Sequence, residues 1–239
     1  MKRIIILLIL VIQTSFTQTK FDHSIFDELL IKAVNKNGMV DYQVFKSNKK
    51  FNAYLNKVAD ADVSKFSKEE KLAFYINAYN ASVIQNVLNH LPIKSPIDVN
   101  GFFKEYKFEV AGENLSLDEL ENNKVLKIEP VLSHFGLVCA AKSCPKLISN
   151  AYGSENIYKQ LEENLKVYLN NSSQNYFDRK NKTLHLSQIF NWFRGSFEKR
   201  YGSLKNMSAK YMNSSDADFI KKDEIKINFL TYNWDLNSQ

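Results

Sequence analysis

The sequence predicts an α+β fold: a single domain in which a buried central helix packs on short, mostly antiparallel strands and hairpins. Three observations carry this expectation. From Leu72 to Leu91 the chain is apolar almost all round, as a helix at the centre of a core must be. Short alternating segments bounded by turn residues recur near 106–117 and 175–186, the pattern of half-buried strands. Helical and strand signals are mixed without regular βαβ alternation, which argues against a doubly wound parallel sheet.

The N-terminus sets the compartment. Lys2 and Arg3 precede an unbroken apolar run of nine residues, Ile4 to Ile12, too short to span a bilayer. Polar residues follow, with small Ser15 and Thr17 ahead of Gln18. This is the anatomy of a secretory signal peptide over residues 1–17, and 18–239 is then the mature domain. No Cys follows the run to carry a lipid, and no second long apolar stretch exists, so no stable membrane insertion is expected after cleavage. Seventeen Phe and a hydrophobic content of 44% are ample for one core. The formal charge of +6 loses Lys2 and Arg3 with the leader, and the remaining Lys are scattered, which speaks against nucleic-acid binding. The reading is of an exported protein, periplasmic or secreted, with a bacterial style of leader and composition.

The elements follow in order. Ser24 and Asp27 open an amphipathic helix that stops near Asn37-Gly38. A second helix spans about Lys49 to Val58. Ser67 with Glu70 caps the central helix, and Pro92 ends it. Tyr106 to Val110 and Leu115 to Leu117 form a hairpin about Gly112-Glu113-Asn114, and Ser116 with Glu119 starts a short helix. His134 to Cys139 reads as a buried strand. A helix capped by Ser154 runs to Leu169, and residues 175–177 and 183–186 form a second hairpin. Ser187 caps a helix bearing Ile189, Phe190, Trp192, Phe193 and Phe197, in which helical spacing favours a core role for the aromatics. Ile225 to Tyr232 is a last strand, and Trp234 and Asp235 dock the tail.

Several chemistries are excluded. The seven Gly form neither a dinucleotide fingerprint nor a phosphate loop. His23, His90, His134 and His185 show no metal-binding spacing, and Cys139, Cys144 and His134 match no common zinc pattern, so no metal and no cofactor are expected. The informative stretch is SHFGLVCAAKSCPKL, residues 133–147. Cys144 precedes Pro145, a preferred first helical residue, and Lys142 adds positive charge; both would favour a thiolate. His134 would complete a Cys-His pair able to transfer acyl groups. Two other readings stand beside this one: a Cys139–Cys144 disulfide, natural in an exported chain, and buried inert thiols. A disulfide would remove the nucleophile. Asn77 and Asn80 share one face of the central helix, where a buried amide must find partners. Either one of them orients a catalytic His, or both bond nearby backbone and fix a loop, which is the favoured reading.

Five ordered segments resemble the family termed "domain of unknown function 547": FYINAYNA at 74–81, LSLDELEN at 115–122, HFGLVCAAKSCPKL at 134–147, LSQIFNWF at 186–193 and YNWDLN at 232–237. Two departures stand out. Asn122 follows Glu121 where many members have His, and Leu132 and Ser133 stand where many carry Arg. The His-before-Cys order is loosely similar to permuted papain-like cysteine hydrolases. That likeness implies Cys144 as nucleophile, His134 as base, and Asn77 or Glu121 holding the imidazole. Backbone N–H groups of 143–146 would hold an oxyanion, and Asn80, Lys142, Ser143 and Cys139 would line the binding site. The substrate would be an amide or ester. The rival expectation is a non-catalytic extracytoplasmic protein that holds a small molecule, peptide or cell-envelope component in the same groove.

Overall fold

The computed structural model describes residues 20–222 and 224–239; the expected leader lies outside them. Helix α1 (Ser24–Ala33) starts with Ser24 as its first residue and His23 at the cap, one position away from the expected cap. Helix α2 (Lys49–Ala59) is capped by Asn48, whose side chain accepts the Lys50 N–H. Helix α3 (Lys68–His90) is capped by Ser67, which accepts the Glu70 N–H, and its sixteen buried residues include Asn77, Asn80 and Asn86. As expected, it is the centre of the core. It packs mainly on α2, on the segment after β2 and on residues 154–169, with both sheets at the periphery.

Strands β1 (Lys107–Val110) and β2 (Glu113–Ser116) form the first hairpin. Its two-residue turn is Ala111-Gly112, both at positive φ (51° and 75°), rather than residues 112–114. Such a turn matches the twist of the flanking strands. Helix α4 (Leu117–Leu120) follows with a complete capping box between Ser116 and Glu119. It widens into a π turn, Glu121–Val125, and ends in α5 (Leu126–Ile128). Helix α6 (Ile157–Leu169) is preceded by a 3-10 turn over Ser154–Asn156, and no side chain caps it.

Strands β3 (Tyr176–Asp178) and β4 (Thr183–Leu186) pair antiparallel, and β5 (Lys226–Phe229) adds to β4 in parallel. The single helix expected after Ser187 is two: α7 (Gln188–Trp192) and α8 (Arg194–Tyr201), broken at Phe193. Helices α9 (Leu204–Tyr211) and α10 (Ser214–Lys222) complete the order. Roughly half the chain is helical and about a tenth is strand, which with two small sheets makes the class α+β. Among the described residues no helix is long and apolar enough to cross a membrane.

Candidate functional site

The site is built on a buried stretch of irregular backbone. Residues 134–139 are not a strand. A 3-10 turn covers Leu132–Phe135, and the chain then runs through the core without a ladder partner until Ala141 meets Leu236 in an isolated bridge. Backbone groups there need partners from elsewhere, because an unpaired buried amide costs about 1–3 kcal/mol. Asn80 supplies two: its Nδ2 donates to the Gly136 carbonyl (2.8 Å) and its Oδ1 accepts the Val138 N–H (3.0 Å). One turn earlier, Asn77 does the same for Tyr152, donating to its carbonyl (2.8 Å) and accepting its N–H (2.9 Å). Both amides are thereby engaged in holding backbone. Neither lines the cleft that His134 reaches, so Asn77 is not placed to orient the imidazole and Asn80 acts behind the site rather than in it.

The 3-10 turn that presents His134 is pinned by Glu129. Its Oε1 accepts the N–H groups of Val131 and Leu132 and an Arg200 Nη1 donor at 2.6 Å. The Ser133 hydroxyl donates to the Glu129 carbonyl. His134 itself is 5% exposed and stacks on Phe193, ring centroids 3.7 Å apart. Burial pushes its pKa down to about 4, against the opposing pull of the Pro130 carbonyl and Glu129, so the ring is neutral near pH 7. One ring N–H donates to the Pro130 carbonyl, whereas Nε2 is buried with no partner among the described residues. The proton therefore sits on Nδ1, and Nε2 is an unused acceptor.

Glu121 opens the π turn, a distortion common where a helix must aim a functional side chain. Its Oε1 lies 3.9 Å from His134 Nδ1. Burial, with Asp118 adding like charge, raises the carboxyl to about 7, and the Tyr79 hydroxyl, which donates to it, only partly offsets this. At neutral pH the carboxyl is thus near half-protonated and the imidazole uncharged, so their proximity is not a formed ion pair. Of the two groups proposed to hold the imidazole, Glu121 is the one beside it.

Cys139 and Cys144 form a disulfide, their Cα atoms 6.2 Å apart. The Cys139 N–H donates to Cys144 Sγ (2.9 Å), and Cys139 Sγ lies 3.3 Å from the Tyr232 hydroxyl. No helix begins at Pro145, so the expected dipole at Cys144 is absent. The C-terminal tail explains why. Lys142 N–H donates to the Asp235 carbonyl, Ser143 N–H to the Asn233 carbonyl, and Asn233 N–H to Ser143 Oγ. The Ser143 carbonyl accepts from Tyr168. Cys144 N–H is bonded to the Ala141 carbonyl. The N–H groups of 143 and 144 are therefore not free to hold an oxyanion, Ser143 is a buried structural residue, and the Lys142 side chain pairs with Asp235 at the surface.

Glu121, His134, Cys139 and Cys144 share one cleft of about 340 Å³. Its walls are apolar and largely aromatic: Phe103, Trp192, Phe193, Tyr232 and Trp234, with Leu137, Pro145 and Ile189. Trp192, Tyr232 and Trp234 pack in a cluster with centroids 4.8–6.0 Å apart, and Trp192 remains 49% exposed. Helical spacing in the sequence points Trp192 to the core and the tail pattern points Trp234 to an anchor, whereas no sequence pattern singles out Tyr79 or Tyr232 as cleft residues. The signal available was that NWF and YNW fall in two of the five family-like segments. Among the described residues no cluster of His, Cys, Asp and Glu is arranged to hold a metal.

No curated protein and no solved structure matches the chain. Residues 63–169 match the family described as "Protein of unknown function, DUF547", a span that contains the Asn clamps, Glu121, His134 and both cysteines but not the aromatic wall from 189–193 and 232–234. The chain is thus similar to the DUF547 family through its central segment, the part that carries the polar half of the cleft.

Proposed function

We propose that the chain is an exported binding protein that holds a small molecule in the cleft between Glu121, His134, the 139–144 disulfide and the Trp192–Trp234 wall. The observation that carries this reading is the disulfide. Cys139 and Cys144 both line the cleft with His134, and as the two halves of one cystine neither has a thiolate to offer. What remains is a recessed, aromatic-walled cavity with a few polar groups at its base, the usual make-up of a ligand site. A short-loop disulfide also fits an oxidising compartment outside the cytoplasm, in line with the expected leader.

A second reading, a thiol hydrolase or transferase, is favoured by one fact: Cys144, His134 and Glu121 line the same cleft. It requires the reduced protein. The Cys144 thiol would lose its proton to His134 and attack an ester or amide carbonyl. The thioester would form as the protonated leaving group departs, and water would then hydrolyse it. The Cys139 N–H that now meets Cys144 Sγ would stabilise the thiolate.

Hydrolysis of p-nitrophenyl acetate, measured without and with reductant, separates the two. The binding reading expects no turnover above that of Cys144→Ala in either state. Turnover that appears on reduction and is lost in both Cys144→Ala and His134→Ala would install the hydrolase instead.

A further inference from the structure

We infer that the cleft takes an organic cation, an ammonium group attached to a flat or apolar body, with Glu121 as its counter-ion and the aromatic wall as its cage. The inference rests on the binding reading above and specifies its ligand class.

Two of the polar groups in the cleft, the Glu121 carboxylate and His134 Nε2, are acceptors. Glu121 offers a carboxyl that accepts from the Tyr79 hydroxyl. Beside it, His134 is neutral and its Nε2 is buried with no partner among the described residues, a state that costs free energy unless a donor arrives. The ionisable groups of the lining are Asp118, Glu121, Lys104, His134 and the tyrosines 79 and 232. With His134 uncharged, two carboxyls face one lysine. A ligand that brings N–H donors and positive charge meets all of these at once.

The walls fit the same chemistry. Trp192, Tyr232, Trp234 and Phe103 stand around the cleft as a cluster of rings. A cation over a ring face gains about 0.5–2 kcal/mol, most when desolvated. The cage would hold the charge or the body of the ligand, and the carboxylate would receive its N–H groups. The same chemistry is presented by a free amine and by a lysine side chain, and the cleft volume admits either.

Charge and proton are coupled at this site. The groups facing the Glu121 carboxyl are Tyr79 from α3, Asp118 on its own helix, His134 from the 3-10 turn and Tyr232 from the tail. Its pKa of about 7 in the free protein means that a cation must displace the proton from part of the population. Affinity then rises with pH up to about 7–8 and falls roughly tenfold per unit below that range.

The two tryptophans of the chain both line the cleft, so tryptophan emission, excited selectively over tyrosine, reports on this site. Oxidised protein is titrated with benzylammonium, its neutral isostere benzyl alcohol, and Nα-acetyl-lysine methylamide, at pH 5.5 and 8. The inference expects saturable emission changes with benzylammonium at pH 8, at least tenfold weaker binding of benzyl alcohol, and a loss of tenfold or more at pH 5.5. In Glu121→Gln the preference for the cation disappears while benzyl alcohol is unaffected. The lysine analogue binding as well as benzylammonium would assign a peptide-borne source, and its failure a free amine. Equal binding of benzylammonium and benzyl alcohol, with no pH dependence in the native sequence, overturns the cation inference but leaves the binding reading intact. No response to any probe, together with reductant-dependent ester turnover, overturns both.

Discussion

Replacing Asn80 by Ala tests how the site is held. The side chain is 2% exposed and makes two backbone hydrogen bonds, to Gly136 O at 2.8 Å and from Val138 N at 3.0 Å. Truncation leaves a carbonyl and an N–H buried without partners, each costing about 1–3 kcal/mol, and adds a small cavity that repacking only partly fills. The expected loss is about 3–5 kcal/mol, a large share of the stability of a typical domain. Equilibrium urea unfolding, followed by circular dichroism, measures it as a fall in midpoint at constant slope. Asn80→Asp gives the internal control. It keeps the acceptor for Val138 but turns the donor facing Gly136 O into an oxygen, so it should be destabilised at neutral pH and partly recover on acidification as the carboxyl protonates. A loss below about 1 kcal/mol in Asn80→Ala, or no pH recovery in Asn80→Asp, would refute the clamp as the device that holds this backbone.

Two further outcomes are expected. Glu121 has its pKa raised from 4.5 to about 7 in the fold, so between those values the native state binds more protons than the unfolded chain and stability falls as pH rises. Glu121→Gln should therefore match the native sequence near pH 4.5 and exceed it at pH 8 by up to about 3 kcal/mol, roughly 6–12 °C in melting temperature; a pH-independent difference contradicts the assignment. Arg200→Met leaves the Glu129 carboxylate, with a side chain 9% exposed, without its cation. Because the Arg200 side chain keeps 38% exposure, the cost is about 1–2 kcal/mol rather than that of a fully buried pair, and calorimetry should show it as a lower melting temperature; an unchanged melting temperature would contradict the pin.

Local signals in the sequence were enough for much of the fold. The apolar helix with Ser67 at its cap, the Ser116–Glu119 capping box and both hairpins are each set by residues close in the chain. What was not legible depends on distant partners. The run 134–139 is equally apolar as a strand or as buried irregular chain, and periodicity cannot separate them. Asn80, more than fifty residues away, decides by satisfying its backbone from the side. The helix signal at Pro145 fails for the same reason, since tail residues 233–235 take up the N–H groups of 142 and 143. The parallel pairing of β5 with β4 joins segments some forty residues apart, and no turn announces it.

The candidate site divides in the same way. His134, Glu121 and both cysteines were visible as residue types, and the fold brings these four to one cleft. Asn77, Asn80 and Ser143 were visible too, but their polar atoms are spent on backbone. The aromatic wall was hidden because ring residues at helical spacing are usually core. Only the break between α7 and α8 at Phe193 and the return of the tail turn Trp192, Phe193 and Trp234 towards the cleft.

The central claim is that the working form of the site is oxidised, with Cys144 bound to Cys139 and the cleft left as a binding cavity. Intact mass after alkylation of the purified protein, with and without reductant, is the decisive test. Neither cysteine is expected to be alkylated until reductant is added, and both are expected to be alkylated afterwards. Alkylation of both thiols without reductant would contradict it and would return Cys144, with His134 beside the same cleft, to the role of nucleophile.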